Sequence, residues 1–299
     1  MSEPDETTGL STVRDFLRYA VSGFRAAKLA HGHGAGTALD EAAFLILETL
    51  HLPVDDINPW LEARLTVAER RRLAEIIRIR IETRKPAAYL TKRTSIHGIP
   101  FYVDERVIVP RSYLGELIFS SVFNELIDTS QVKSVLDLCT GSGCLAILAA
   151  GLLPHAAIDA ADVSADALAV ARINLKEHGL EDRISLFHGG LFAPLGARTY
   201  DLIITNPPYV AAAEVWAFPP EYAHEPGLAH AGGVDGLDIV RRILAEAPTR
   251  LNEGGGLLCE FGTGRHILEA DYPELNFLWL DTEESEGEVF WLSRQDFSA

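Results

Sequence analysis

The sequence predicts an α/β fold in which a mostly parallel sheet with helices on both faces follows a small helical bundle and a β-hairpin. From residue 134 onward, short apolar runs alternate with helix-length segments, as in successive βαβ units. Before residue 86, apolar residues recur at helical spacing. Between residues 86 and 110, they alternate with turn residues. We therefore expect a helical docking domain at 1–85, a hairpin linker at 86–110 and an α/β domain at 111–299.

Composition narrows the classes of function. The chain has 299 residues and a formal net charge of −17, which argues against free-standing nucleic-acid binding and suits a basic partner, although many cytosolic enzymes are simply acidic. Residues 1–6 are acidic and lack an apolar signal region, and no apolar run is long enough to span a membrane. The histidines show no metal-binding spacing, and the three cysteines form no CxxC pair. We expect a cytoplasmic protein with reduced thiols and no bound metal.

The first third of the chain contains three predicted helices. Residues 11–30 place apolar side chains on one face, and Ser11 is the predicted N-cap. A second helix covers residues 38–50. A third runs from Thr66 to about Thr83, where Thr66 and Glu69 have the spacing of a capping box. No catalytic constellation is present here, so we expect the bundle to dock a partner.

The rest of the chain supplies the predicted sheet. Tyr89 and Leu90 open the alternation that we interpret as the hairpin, and a single helix is expected over residues 113–123. Strands are then predicted at 134–139, 156–161, 184–187, 200–205 and 256–261, with helices between most of them. Two further runs, 277–280 and 288–292, are predicted to close the sheet as a pair.

A glycine loop follows the first strand of the sheet. Residues 137–146 fit the pattern G-x-G-x-x-A, which allows a nicotinamide or another adenosine cofactor. Asp137 ends the strand, where a carboxylate can meet a cationic amino group. Asp162 ends the second strand, at a suitable distance to accept both ribose hydroxyls. Asp137 could instead cap the next helix, and Asp162 could be a turn residue. Cys139 and Cys144 are interpreted as small packing residues.

The sequence Asn206-Pro207-Pro208-Tyr209 follows the fourth strand. Two prolines cannot donate to a strand ladder, so the strand must stop there, at the edge where α/β sheets bind ligands. One amide side chain and rigid backbone carbonyls are suited to holding a planar amino group by its two hydrogens. The alternative is an ordinary Asn-Pro turn. Residues 210–236 form a long irregular segment of the kind that is usually functional, in which Trp216 and Phe218 could cover a substrate.

The order of these motifs resembles the class I S-adenosylmethionine-dependent methyltransferases, with their Rossmann-like sheet. Together with the helical front, the hairpin and residues 109–112, the chain resembles the HemK superfamily of protein-glutamine methyltransferases. Residues 137–144, 220–226 and 233–237 are similar to the PrmB branch, whose members methylate a glutamine of large-subunit ribosomal protein three. The sister branch, which acts on release factors, more often has glycine in place of Cys139.

The resemblance implies S-adenosylmethionine as cofactor and a glutamine of a basic large-subunit ribosomal protein as substrate, modified free or during ribosome assembly. Implied cofactor-binding residues are Asp137, Cys139, Thr140, Gly141, Ser142, Gly143, Asp162, Leu191 and Asn206. Implied substrate-binding residues are Asn206, Pro207, Pro208 and Tyr209, of which Asn206, Pro207 and Tyr209 are catalytic. The Asn206 oxygen and the Pro207 carbonyl would accept the two N–H hydrogens, and Tyr209 would pack on the amide. A general base is not required.

One departure from the family concerns the position after the third strand. The family usually has an acid there that meets the adenine amino group, whereas this chain has Gly190.

Three other functions remain open: glutamine methylation of release factors, methylation of an amino group on a nucleic-acid base, and non-catalytic binding of a nicotinamide or adenosine nucleotide.

Overall fold

The structure, a computed structural model, describes residues 9–283 and 285–298, so the acidic start at residues 1–6 lies outside the described part. The chain divides into two compact units. One comprises the chain up to Glu105 together with Pro219–Glu225, and the other comprises Arg106–Phe218 and the chain from Pro226 onward. Within the described residues, no helix combines the length and apolar character needed to cross a membrane.

The first unit is mostly helical and includes the hairpin. Its elements are α1 Val13–Ala26, α2 Ala38–Leu50, a 3-10 turn at Asn58–Trp60, α3 Val67–Thr83, α4 Ala87–Thr91, β1 Arg93–Ile96, β2 Ile99–Tyr102 and a 3-10 helix at Pro220–His224. The three predicted long helices are present. The capping box of Thr66 and Glu69 is confirmed, because each side chain bonds the backbone N–H of the other.

Two local predictions in this unit are wrong. Thr12, not Ser11, caps α1, because its hydroxyl accepts the N–H of Asp15 while the Asp15 carboxylate accepts the N–H of Thr12. Tyr89 and Leu90 belong to helix α4 and not to the hairpin. Their N–H groups both donate to the carbonyl of Pro86, and a short apolar run does not distinguish strand from helix by periodicity alone.

The core of the first unit is apolar and also contains a buried ion pair. Apolar side chains of α1, α2 and α3 pack together around Phe16, Leu45 and Leu73. Arg80, which is fully buried, donates through Nε to Glu41 Oε1 at 2.7 Å and through Nη2 to Oε2 at 3.1 Å. Burial acts to raise the pKa of Glu41, but hydrogen bonds from His31 and Arg80 outweigh it and lower that pKa. The pair is therefore held in its ionised form.

The second unit contains a seven-stranded sheet. Its strands are β3 Ser134–Leu138, β4 Ala157–Asp162, β5 Ile184–His188, β6 Tyr200–Thr205, β7 Leu251–Glu260, β8 Leu278–Leu280 and β9 Val289–Ser293. Their order is β5-β4-β3-β6-β7-β9-β8, with the first five parallel and β9 antiparallel to both of its neighbours. The predicted mostly parallel sheet and its closing pair are confirmed. From β3 the chain adds β4 and β5 on one side, and it then returns to add β6 on the other side of β3. A sheet with such a switch in strand order has a ligand crevice at the carboxyl ends of the two strands where the switch occurs.

Helices cover the sheet of the second unit. They are α5 Tyr113–Phe119, α6 Ser121–Leu126, α7 Cys144–Leu152, α8 Ala165–His178, α9 Ala212–Val215, α10 Asp238–Arg250 and α11 Arg265–Asp271, with 3-10 helices at Ala193–Leu195, Gly227–Ala229 and Arg294–Ser298. The single helix expected over residues 113–123 is broken at Ser120, whose backbone is extended. The core is built on buried strand residues such as Leu136, Ile203 and Leu257.

Candidate active site

The register of the sheet brings three predicted site residues to one edge. Leu138, the last residue of β3, pairs with Ala161 of β4 and with Thr205 of β6, so the residues that follow these positions are neighbours. The Thr205 hydroxyl also donates to the carbonyl of Leu138 at 2.9 Å, which ties the two strand ends together. Cys139, Asp162 and Asn206, which follow the paired residues, all line one cavity of about 280 Å³.

The cavity wall is mainly apolar with a few polar groups. Its remaining lining residues are Arg106, Val107, Ile108, Gly141, Ala161, Val163, Ser164, Ala167, Gly190, Leu191, Pro208, Pro226, Leu228, Ala229, Ala231, Ile239 and Arg242. This character suits a ligand that has a flat apolar body and a few polar groups. Arg106 and Arg242 were not expected here from the sequence, because neither lies in a motif that implies ligand binding.

The glycine loop is a left-handed turn that leads into helix α7. Gly141 and Gly143 have φ of 55° and 80°, and a Cβ on Gly143 would lie 3.2 Å from the Cβ of Ala171. Gly143 therefore permits both the turn and the close packing of α7 on α8. Cys139 also has positive φ, at 59°, a conformation that glycine adopts more readily than other residues. Burial raises the pKa of its thiol, so Cys139 is not an activated nucleophile.

Asp162 has the geometry expected of a diol acceptor. Its Oδ2 accepts the N–H of Gly141 at 2.9 Å, and its Oδ1 accepts the N–H of Ser164 at 2.8 Å. Each oxygen thus keeps accepting capacity, because an ionised carboxylate offers about four lone-pair sites. Burial raises the pKa of Asp162. A carboxylate on the wall of this cavity can bind two adjacent hydroxyl groups.

Asp137 lies behind the cavity wall, in the position of a cap. Its Oδ2 accepts the hydroxyl of Thr140 at 2.5 Å and the N–H of Ala146 at 3.0 Å, which braces the loop and the first turn of α7. Its Oδ1 has no hydrogen-bond partner within the described part of the chain. Burial raises the pKa of Asp137 to about 7. The structure thus gives Asp137 the capping contacts, and a contact with a cationic amino group stays a prediction for Oδ1.

Three other predicted cofactor residues also lie outside the lining. Thr140 and Ser142 are buried, and the backbone N–H of Thr140 donates to Ala161 while the Asn174 amide donates to the carbonyl of Ser142. Gly143 forms the N-cap of α7. These residues shape the loop, whereas Cys139 and Gly141 form its inner surface.

The four residues that follow β6 divide between the cavity and the interior. Asn206 and Pro208 line the cavity, whereas Pro207 is buried and Tyr209 is not part of the lining. The Tyr209 hydroxyl instead donates to Glu260 Oε1 at 2.8 Å. The described contacts of Tyr209 therefore lead to the end of β7, and its predicted packing on a substrate amide stays a prediction.

Glu260 does not line the cavity, but it contacts Tyr209, and the sequence analysis missed it. It is 1% exposed at the carboxyl end of β7, and its Oε2 accepts the hydroxyl of Ser112 at 2.6 Å and the N–H of Tyr113 at 3.0 Å. Burial raises its pKa to about 7. The available signal was an acid at the end of a buried central strand, two residues before a glycine.

Several residues of the irregular loops have clear positions. Gly190 and Leu191 both lie in the cavity wall, and a Cβ added to Gly190 would meet no atom within 4 Å. Trp216 is 91% exposed, and Phe218 packs edge-on against His230 with ring centroids 5.3 Å apart. The wall therefore has free space at Gly190, the position where the family resemblance implies an acid.

Comparison with known proteins places these features in a family. The model of the methyltransferase small domain matches residues 118–218. The chain is 56% identical over 293 residues to a Bradyrhizobium diazoefficiens protein named ribosomal protein uL3 glutamine methyltransferase, covering 96% of this chain and 92% of that one. A Burkholderia pseudomallei protein of the same name is 51% identical over 299 residues, covering 98% and 97% of the two chains.

Solved structures show the same fold at low sequence identity. The catalytic domain of hMettl16, in complex with MAT2A 3′UTR hairpin 6, superposes with a TM-score of 0.51 at 16% identity and covers 76% of this chain and 81% of that one. The sheet of the second unit is therefore that of a class I methyltransferase. By its identity with near full-length relatives, the chain belongs to the family of ribosomal protein uL3 glutamine methyltransferases.

Proposed function

We propose that this protein transfers a methyl group from S-adenosylmethionine to the side-chain amide nitrogen of a glutamine in ribosomal protein uL3. The observation that carries the proposal is that Asn206 and Asp162 line the same cavity. Asn206 is suited to bind a substrate amide, and Asp162 is suited to bind the ribose of a cofactor. The relatives that carry the uL3 name are 50–56% identical over nearly the whole chain.

The residues of the cavity fit an adenosine cofactor. Asp162 would accept the ribose hydroxyls, and Gly141 leaves its inner side open because a Cβ there would meet no atom within 4 Å. Cys139, Leu191 and Asn206 complete the proposed contacts. When bound, S-adenosylmethionine supplies an electrophilic sulfonium methyl group, so an N–C bond can form as a C–S bond breaks, without acid catalysis.

Asn206 and Pro207 would orient the acceptor. An amide nitrogen is a weak nucleophile because its lone pair is delocalised, so alignment of the nitrogen with the methyl group is the main requirement, and alignment can contribute several kcal/mol. The Asn206 side-chain oxygen and the Pro207 carbonyl would accept the two N–H hydrogens and stabilise the positive charge that develops on nitrogen. The nitrogen then loses one proton to water. The fixed φ angle of Pro208 limits backbone movement of the corner formed by Asn206 and Pro207.

The proposed partner is a basic ribosomal protein in the cytoplasm, free or during ribosome assembly. The net charge of −17 favours approach of a basic protein over binding to free nucleic acid. The helical unit would supply the docking surface, because the polar groups in the core of its described part, such as the pair of Arg80 and Glu41, serve structural contacts. The second unit, which contains the cavity, would carry out the methyl transfer.

The test is methylation of purified uL3 by the wild-type protein and by Asn206→Ala, followed by mass spectrometry. We expect Asn206→Ala to lower kcat by roughly 10²–10³, the usual effect of removing one group that stabilises a transition-state charge. Its thermal unfolding should not change. Asn124→Ala, at an exposed asparagine of the same unit, should retain activity. Full activity in Asn206→Ala would refute the role of Asn206, and label found in RNA or a release factor and not in uL3 would refute the substrate.

A further inference from the structure

Three contacts restrain Tyr209, two of them at the end of strand β7 and one before helix α10. Its hydroxyl donates to Glu260 Oε1 at 2.8 Å. Its ring lies on Gly262, where an added Cβ would be 2.7 Å from the ring carbon Cδ2. Its carbonyl oxygen faces Gly236, where an added Cβ would be only 2.3 Å away. A tyrosine held through hydroxyl, ring and backbone has little freedom to move.

Glu260 connects this tyrosine to the start of helix α5. Its Oε2 accepts the hydroxyl of Ser112 and the N–H of Tyr113 while its Oε1 accepts the hydroxyl of Tyr209. All three groups donate, so the ionised carboxylate satisfies them together. A buried carboxylate is costly unless its hydrogen bonds are made, and these three bonds offset part of that cost.

We propose that Glu260 is a positioning residue for methyl transfer, which acts through Tyr209 to hold the corner formed by Asn206 and Pro207. This inference rests on the proposed function. Only two prolines separate Asn206 from Tyr209, and each has its φ angle locked by its ring. A shift of Tyr209 is therefore transmitted to the groups that would orient the substrate nitrogen, and a misplacement of about 1 Å can lower a rate about 10²-fold.

The ionisation of Glu260 gives the proposal a pH dependence. When Glu260 binds a proton, its new O–H needs an acceptor among groups that all donate to it, and the bonds from these groups lose the strength that the negative charge gives them. The titratable groups that interact with Glu260 are Tyr209, Glu288 and Cys259, and Tyr209 also interacts with the side chains of Tyr113 and Arg111. Burial raises the pKa of Glu260 to about 7. The restraint on Tyr209 should therefore be strongest well above pH 7, where Glu260 is ionised, and weaken as the pH falls through 7.

Kinetics of four variants test the proposal. Glu260→Gln keeps the shape but not the charge, Tyr209→Phe removes the donor, and the double variant removes both. We expect each single variant to lower kcat about 10- to 100-fold, and the double variant to be no worse than either, because all three lack the same charge-assisted bond between the Tyr209 hydroxyl and an ionised carboxylate. Glu288→Gln is the matched control, since this neighbouring acid acts on Glu260 only through its charge, and it should retain wild-type kcat.

Two further measurements distinguish a positioning role of Glu260 from a general loss of structure. The dissociation constant of S-adenosylmethionine should change less than twofold in Glu260→Gln, because Glu260 is not part of the cavity wall. Wild-type kcat at saturating cofactor should fall below pH 7, and this fall should be absent from Glu260→Gln. A wild-type kcat in Glu260→Gln, or additive losses in the double variant, would overturn the proposal.

A spectroscopic measurement is independent of the substrate. In protein labelled with ¹³C-tyrosine, the Tyr209 ring resonance, assigned by its absence from Tyr209→Phe, should titrate near pH 7 in the wild type and not in Glu260→Gln. A Tyr209 resonance that does not titrate in the wild type would refute the role of Glu260. Lack of uL3 methylation by the wild type, with this titration present, would refute the proposed function and leave the hold on Tyr209 supported.

Discussion

Replacing Gly190 by aspartate should strengthen cofactor binding. Gly190 lines the cavity, at the position where the family resemblance implies an acid for the adenine amino group. An added Cβ would meet no atom within 4 Å, and Gly190 is not among the glycines with positive φ. The backbone can therefore accept a side chain at this position without strain, and the free space can hold a carboxylate.

The size of the effect follows from the contact that would form. One new hydrogen bond from the adenine amino group to a partly buried acceptor contributes about 1 kcal/mol net, which is roughly a fivefold decrease in Kd. Thermal stability should stay the same or rise slightly, because replacing glycine reduces the freedom of the unfolded chain.

Calorimetry with S-adenosylhomocysteine measures this effect without the positive sulfonium charge. Gly190→Ala, which adds no acceptor, should bind as the wild type does, and Gly190→Asn should gain part of the affinity. The gain of Gly190→Asp should disappear with S-inosylhomocysteine, whose base lacks the amino group. An unchanged Kd in Gly190→Asp, or an equal gain for both ligands, would refute the assignment of this wall to adenine.

Two other predictions concern buried charges. Asp137 has a folded-state pKa raised by burial to about 7, so its contribution to stability is complete below its unfolded pKa and is lost as the pH rises through 7. Chemical denaturation should therefore show Asp137→Asn gaining about 1.4 kcal/mol relative to wild type between pH 6 and pH 8, and a constant difference would contradict the raised pKa. Glu41→Ala should cost about 3–5 kcal/mol of unfolding free energy because Arg80 is left buried without its partner, whereas Glu62→Ala, at the exposed pair with Arg14, should cost less than about 1 kcal/mol. Equal losses in these two variants would show that burial does not decide the value of the pair.

The strands and long helices could be predicted because their signals are local. The run 200–205 is apolar and β-branched and is ended by two prolines, so both its type and its carboxyl end are evident from the sequence. The errors occurred where local signals conflict. Two adjacent residues, Ser11 and Thr12, can both cap a helix, and in the folded chain the Thr12 hydroxyl is the one that accepts the N–H of Asp15.

The cavity residues show a similar division. Asp162 and Asn206 follow predicted parallel strands, so the sequence could place both at one sheet edge. Asp137 follows the same rule, yet its carboxylate turns to Thr140 and Ala146. The direction of a side chain at a strand end depends on which donors the folded loop presents, and spacing along the chain does not contain that information.

The sequence by itself determined the order of the long helices and of the strands of the sheet, the glycine loop and the proline-ended strand, because each depends on residues that are neighbours in the chain. Only the tertiary structure decided that Glu260 accepts hydrogen bonds from Tyr209 and from Ser112, which lie 51 and 148 positions away. Such a contact depends on how parallel strands align across the sheet, and hydrogen bonding between distant residues is selected by packing and not by local preference.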